Sequence, residues 1–133
     1  ALVITSQQMP LWPGTGAPSE KGAYDNVLNL PLPPESTGAD MRLVYETRVF
    51  PRLRDFRPEL IIVSAGFDAH QDDPLAMLNW STDDFRWLAQ KLCAVAAELC
   101  EGRLVSTLEG GYDLQALAEA SKAHVEELRK ASQ

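Results

Sequence analysis

Apolar and polar positions divide the chain into short strands and amphipathic stretches that alternate along its length. Leu2-Val3-Ile4-Thr5 reads as a short buried strand. Residues 9–26 hold Pro10, Pro13, Gly14, Gly16, Pro18 and Gly22 and read as a loop with backbone freedom at its glycines. Val27 to Leu32 alternate roughly as a short strand or lip, ended by Pro33 and Pro34. Met41, Tyr45, Val49, Leu53 and Phe56 recur at spacings of four and three and predict a helix over about 39–56 with one apolar stripe. Pro51 lies inside it and predicts a kink or break, since proline has no amide N–H for the helical ladder. Leu60-Ile61-Ile62-Val63 is continuously apolar and predicts a strand buried on both faces. After a loop over 66–80, Ser81 and Asp84 have the spacing of a capping box. Phe85, Leu88, Leu92, Val95 and Leu99 continue that helix, and Gly102 closes it. Leu104 to Leu108 form a third core strand and Gly110-Gly111 a turn. A last helix runs from Asp113 to Arg129, with Leu114, Leu117, Ser121, Val125 and Leu128 predicted inward.

Strands alternating with helices imply right-handed crossovers and a mostly parallel sheet, an α/β fold. A length of 133 residues suits a single domain. Three core strands are few for such a sheet, and the chain enters a core strand directly after Ala1, without a Met. Both features predict a partial domain, 1–133, whose missing part lies upstream.

A net charge of −7 argues against nucleic-acid binding, which needs a surplus of Lys and Arg. The clustered Arg48, Arg52, Arg54 and Arg57 read as a solvated helix face. No apolar run is long enough for a membrane span, and no secretory leader is visible. Cys93 and Cys100 stand roughly 10 Å apart along their helix, too far for a disulfide. Two unpaired thiols and no CxxC predict a reducing, cytoplasmic setting and no thiolate zinc site.

Ligands of open parallel α/β sheets bind beyond the carboxyl ends of the strands. Residues 6–16, 64–80 and 109–113 occupy those positions and are expected to converge. The middle loop carries Asp68, His70, Asp72 and Asp73 just past a core strand, a divalent-metal environment by composition. The alternative is structural: Asp73 before Pro74 simply turns the chain, and His70 bonds a loop carbonyl. In the third loop, Gly110 and Gly111 let the backbone approach a ligand and place Tyr112 at the mouth of the sheet. There its hydroxyl could stabilise an oxyanion, or its ring could pack on the loop with Asp113 as the helix N-cap.

Three motifs in order carry a family resemblance: "PLWPGTG" (Pro10 to Gly16), "SAGFDAH" followed by "DPL" (Ser64 to Leu75), and "LEGGYD" (Leu108 to Asp113). Together they resemble the histone deacetylase-like amidohydrolases, nearest the bacterial class II-like group with its acetylpolyamine amidohydrolases and acetoin-utilisation proteins. The resemblance implies a partial arginase/deacetylase-like three-layer α/β fold and a zinc-dependent deacetylase acting on acetyl-lysine or an acetylpolyamine. It assigns Asp68 as a zinc ligand, Tyr112 as the catalytic group that polarises the carbonyl, and Trp12, Leu75, Gly110 and Gly111 to substrate binding. His70, Asp73 and Gly66 become loop-shaping positions.

The family's Asp-x-His ligand pair and His-His bases have no counterpart here, where the only histidines are His70 and His124. A catalytic zinc takes three protein ligands, so the chain is expected to be inactive alone. The expected partner is a second copy or a missing N-terminal polypeptide. A non-catalytic, self-associating assembly module is the alternative. A magnesium-dependent hydrolase built on Asp68, Asp72 and Asp73 is the third reading.

Overall fold

A computed structural model describes residues 1–11 and 13–133. Four strands and four α-helices follow the predicted order. They are β1 (Val3–Gln8), β2 (Val27–Leu32), α1 (Gly38–Val44), α2 (Phe50–Phe56), β3 (Ile61–Ala65), α3 (Thr82–Cys100), β4 (Leu104–Leu108) and α4 (Leu114–Ala131). The segment 27–32, ambiguous between strand and lip, is a full strand. β1 pairs with it in parallel, from Val3 opposite Val27 to Gln8 opposite Leu32. β3 pairs in parallel with β4, from Ile61 opposite Leu104 to Ala65 opposite Leu108. The parallel pairing is as expected, but among the described residues the strands form two separate two-stranded sheets.

The helix predicted over 39–56 is interrupted before the proline rather than at it. Tyr45–Val49 form a π-helical turn, with the Phe50 amide donating to the Tyr45 carbonyl, and α2 then starts with Pro51 in its first turn. The wider turn absorbs the residue whose missing N–H would break an α-ladder, and α2 opens where a proline is tolerated. The same turn brings the Tyr45 hydroxyl to 2.9 Å from Ser6 Oγ on β1. Of the clustered arginines, Arg54 forms a two-pronged ion pair with Glu98, and Arg52 donates to the Asp25 carbonyl. Arg48 and Arg57 stay exposed.

Helices cover one face of the strands. Leu30, Val49, Phe50, Ile61, Leu92, Val95, Ala96 and Cys100 make one buried cluster. Leu32, Met41, Ala65, Phe67, Trp80 and Phe85 contribute to a second. The other face is bare: Ile62 is 67% and Val105 56% exposed. The prediction that Leu60-Ile61-Ile62-Val63 form a strand buried on both faces therefore fails, because no helix among the described residues lies over its second face. α4 also differs from its predicted stripe. Leu114 and Val125 point outward, while Ala116, Ala120, Ala123, His124 and Glu127 are buried. Small residues let α4 lie close along α3.

The capping box at Ser81 is present and does more than start α3. Asp84 Oδ2 accepts from the Ser81 amide and hydroxyl, each at 2.8 Å, and Oδ1 pairs with Arg42 of α1 at 2.8 Å. A Cβ on Gly38 would collide with the same carboxylate. Burial pushes the Asp84 carboxyl up, but the Ser81 bonds and the Arg42 guanidinium outweigh it and hold it below the usual carboxylate range. Its stabilising effect is thus present above the unfolded-state pKa of about 4 and lost as pH falls through the lower folded value. Asp84→Ala is expected to cost about 2 kcal/mol at pH 7, a cap plus a charge-assisted bond. In urea unfolding, the difference from the parent should shrink below about pH 4.

Candidate active site

The loops after β3 and β4 are stitched together by the backbone. Glu109 N–H donates to the Ala65 carbonyl at 3.0 Å, and Phe67 N–H donates to the Gly110 carbonyl at 2.7 Å. Asp68 sits between two glycines. A Cβ on Gly110 would stand 2.6 Å from its Oδ2, and one on Gly66 would stand 3.0 Å from its Oδ1. Any side chain at Gly110 would displace the carboxylate, which is the physical reason for glycine there. Gly111 has φ +141, and a Cβ on it would crowd Leu117 and Phe67. Partial burial raises the Asp68 pKa, and the negative charge of Asp73 adds to this. A half-buried carboxylate destabilised in this way favours a positive partner.

Asp73 is buried and uses both oxygens. Oδ1 accepts from the Leu75 amide at 2.9 Å, which is the turn expected before a proline. Oδ2 reaches across to the Tyr112 amide, also at 2.9 Å. One carboxylate thus fixes both the Leu75 turn and the backbone of Tyr112. The side chains of Leu75 and Tyr112 are exposed, 65% and 55%. Asp113 caps α4 through the Ala116 amide. The first loop joins through Gln8 Oε1, which accepts from the Met77 amide at 2.8 Å. All three loops converge, as expected. Trp12 lies outside the described residues.

Asp68 and Gly110 line a cavity of about 340 Å³, with Ser6, Ala65, Phe67 and Leu88 among its other walls. His70 is buried and stacked on Phe85. Its Nδ1 accepts from the Asp72 amide and its Nε2 lies 3.2 Å from Thr82 Oγ1. The ring thus bonds an amide and a hydroxyl, not the loop carbonyl first expected, and it shapes the loop. Asp72 is exposed and turns toward His70. With Asp73 occupied by amides, the three aspartates do not form a magnesium cluster. Among the described residues, no group of three His, Cys, Asp or Glu side chains is placed to hold a metal ion. Asp68 alone does not make a catalytic zinc centre, which takes three protein ligands.

His124 lies beneath this site, edge-on to Phe67, with Nε2 2.8 Å from Ser106 Oγ. Burial lowers its pKa. The unfolded chain therefore binds a proton that the folded chain resists, so stability falls as pH drops through about 6.5. Replacing His124 with Gln is expected to flatten the dependence of the urea midpoint on pH between about 7.5 and 5.5.

The parallel strand pairs and the loops converging at their carboxyl ends describe a parallel α/β scaffold, and comparison with known proteins specifies its class. The histone deacetylase domain model matches residues 3–128, and the chain belongs to that family. It is 42% identical over 120 residues to histone deacetylase 10, chloroplastic, of Oryza sativa subsp. japonica, covering 88% of this chain and 27% of that protein. It is 37% identical over 117 residues to a probable deacetylase of Archaeoglobus fulgidus, covering 86% of this chain and 33% of that protein. The solved acetylpolyamine aminohydrolase from Burkholderia pseudomallei superposes with a TM-score of 0.83 at 26% identity, covering 96% of this chain and 37% of that one. The chain thus spans about a third of the length of these relatives, and its fold is that of the deacetylase domain.

Asp73 shapes more of the site than its sequence position suggests. The Asp-Pro turn was legible, but its second oxygen acts on a residue 39 positions away. No local pattern encodes that reach.

Proposed function

We propose that this chain supplies one zinc ligand, Asp68, and the oxyanion-stabilising Tyr112 of a deacetylase that hydrolyses an acetylated amine, acetyl-lysine or an acetylpolyamine. The other ligands and the general base come from polypeptide outside these 133 residues. The observation that carries this reading is the half-buried Asp68 carboxylate between Gly66 and Gly110, with the backbone of Tyr112, two residues after Gly110, held by Asp73. Tyr112 would donate its phenolic proton in a hydrogen bond to the oxygen that becomes negative during amide cleavage. Leu75, exposed here, together with Trp12 and the glycine pair would flank the acyl chain. The name of the acetylpolyamine aminohydrolase supports an amine of this kind.

The test is zinc content by elemental mass spectrometry after dialysis against trace chelator. The chain alone should hold far less than one zinc, since a single carboxylate binds it weakly. Co-expressed with the two-thirds of the Archaeoglobus relative that it does not match, it should hold about one, lost in Asp68→Ala. Zinc retained by Asp68→Ala would sink the assignment.

The bare face of Leu60, Ile62 and Val105 favours a second reading, a self-associating assembly module. Light scattering of the isolated chain decides it, because a monomer at micromolar concentration leaves that reading without support. The free Cys93 and Cys100 support a reducing, cytoplasmic compartment. No helix among the described residues is long and apolar enough to cross a membrane.

A further inference from the structure

Asp68 occupies the first central position of a tight turn. The Phe67 carbonyl accepts from the His70 amide at 3.2 Å, with Asp68 and Ala69 between them. A functional group on a loop is held less precisely than one on a helix or strand. Both ends of this turn, however, pack on one ring of a helix. Phe67 and His70 are buried, and each meets Phe85 in the first turn of α3. The Phe67 and Phe85 ring centroids are 5.3 Å apart. The His70 ring lies 6.2 Å from that of Phe85 and within 10° of parallel to it.

The same turn of α3 makes a second contact. His70 Nδ1 accepts from the Asp72 amide, which leaves Nε2–H to donate to Thr82 Oγ1. Thr82 and Phe85 are three residues apart and share a helix face. That turn is fixed in its own right by the Ser81–Asp84 capping box and the Asp84–Arg42 pair. Phe67 also meets His124 edge-on at 5.8 Å, and His124 is tied to Ser106 of β4.

We propose that Thr82 and Phe85 are positioning residues for Asp68. They hold the residue before it and the residue two after it, and so set the direction in which its carboxylate leaves the turn. Gly66 and Gly110 wall that carboxylate in but have no side chain to orient it. The Asp73 carboxylate uses both oxygens on the Leu75 and Tyr112 amides, outside this turn. A metal ligand has to stand within about 0.5 Å of its working position, so a loosened turn weakens the metal site even where the chain stays folded. This functional consequence rests on Asp68 being a zinc ligand; the positioning itself does not.

The test has two arms. In the chain alone, NMR side-chain couplings report the Asp68 χ1 angle. The parent and Thr82→Ser are expected to keep one staggered rotamer, and Thr82→Val and Phe85→Leu to average over two or more. Val95→Ala is the control, because it opens a cavity in the other core cluster of the same helix and should leave Asp68 in one rotamer. In the second arm the chain is co-expressed with the two-thirds of the Archaeoglobus relative that it does not match. There Thr82→Val and Phe85→Leu should raise the zinc dissociation constant, read by chelator competition, about tenfold, and Thr82→Ser and Val95→Ala should not. A single Asp68 rotamer in Thr82→Val overturns the proposal even if Phe85→Leu fails to fold. Averaging in the parent or in Val95→Ala overturns it too, as does zinc affinity that is unchanged in Thr82→Val. Averaging confined to the two variants, with no zinc in the parent assembly, would keep the positioning role and sink the metal reading, so the two failures are distinguishable.

Discussion

Tyr112→Phe, measured in the assembly with a complementing polypeptide, should lower kcat by about 10²–10³-fold while leaving zinc content and KM nearly unchanged, the loss typical of removing one oxyanion donor. The substitution deletes only a hydroxyl. The ring's backbone anchor, the Tyr112 amide bonded to Asp73 Oδ2, is untouched. The side chain is 55% exposed in this chain, so the stability of the isolated chain should change by less than about 0.5 kcal/mol. Catalytic and structural effects therefore separate cleanly. A kcat within twofold of the parent would remove Tyr112 from the reaction.

Asp73→Ala should act on both stability and catalysis. Two amides, those of Leu75 and Tyr112, lose a charged acceptor in a buried setting. At roughly 1.5 kcal/mol or more for each such bond, the expected loss is about 3 kcal/mol in urea unfolding of the isolated chain. In the assembly, kcat should fall as well, because the clamp that orients the Tyr112 backbone is gone. Asp73→Asn should be intermediate, since its one carbonyl oxygen can accept from only one of the two amides. Amide exchange would show which: one of Leu75 and Tyr112 stays protected in Asn, and neither does in Ala. Equal protection in all three proteins would show that Asp73 is no clamp.

Asp68, Tyr112 and Asp73 also mark how far local pattern reading reaches. The "LEGGYD" and "SAGFDAH" segments pointed to Asp68 and Tyr112 through their resemblance to a family, while spacing from the core strands alone left a structural role for each open. The Ser81–Asp84 box was legible directly, being a contact between residues three apart. The Asp84–Arg42 pair and the Asp73–Tyr112 bond were not, as they join residues 42 and 39 positions apart. The π-helical turn before Pro51 was announced as a kink, but which residues would absorb it depended on packing of Tyr45 against β1.

Strand and helix order and the parallel pairing were legible in the sequence alone, since they rest on periodicity and alternation, and the family was legible in three short motifs. The tertiary structure decided the rest. It turned Leu114 and Val125 of α4 outward, because alanines allow the closest approach to α3. It left Ile62 and Val105 bare, because helices cover one face only. It also divided the four described strands into two separate pairs, because hydrogen-bond partners between strands are chosen by three-dimensional neighbours that no single segment specifies.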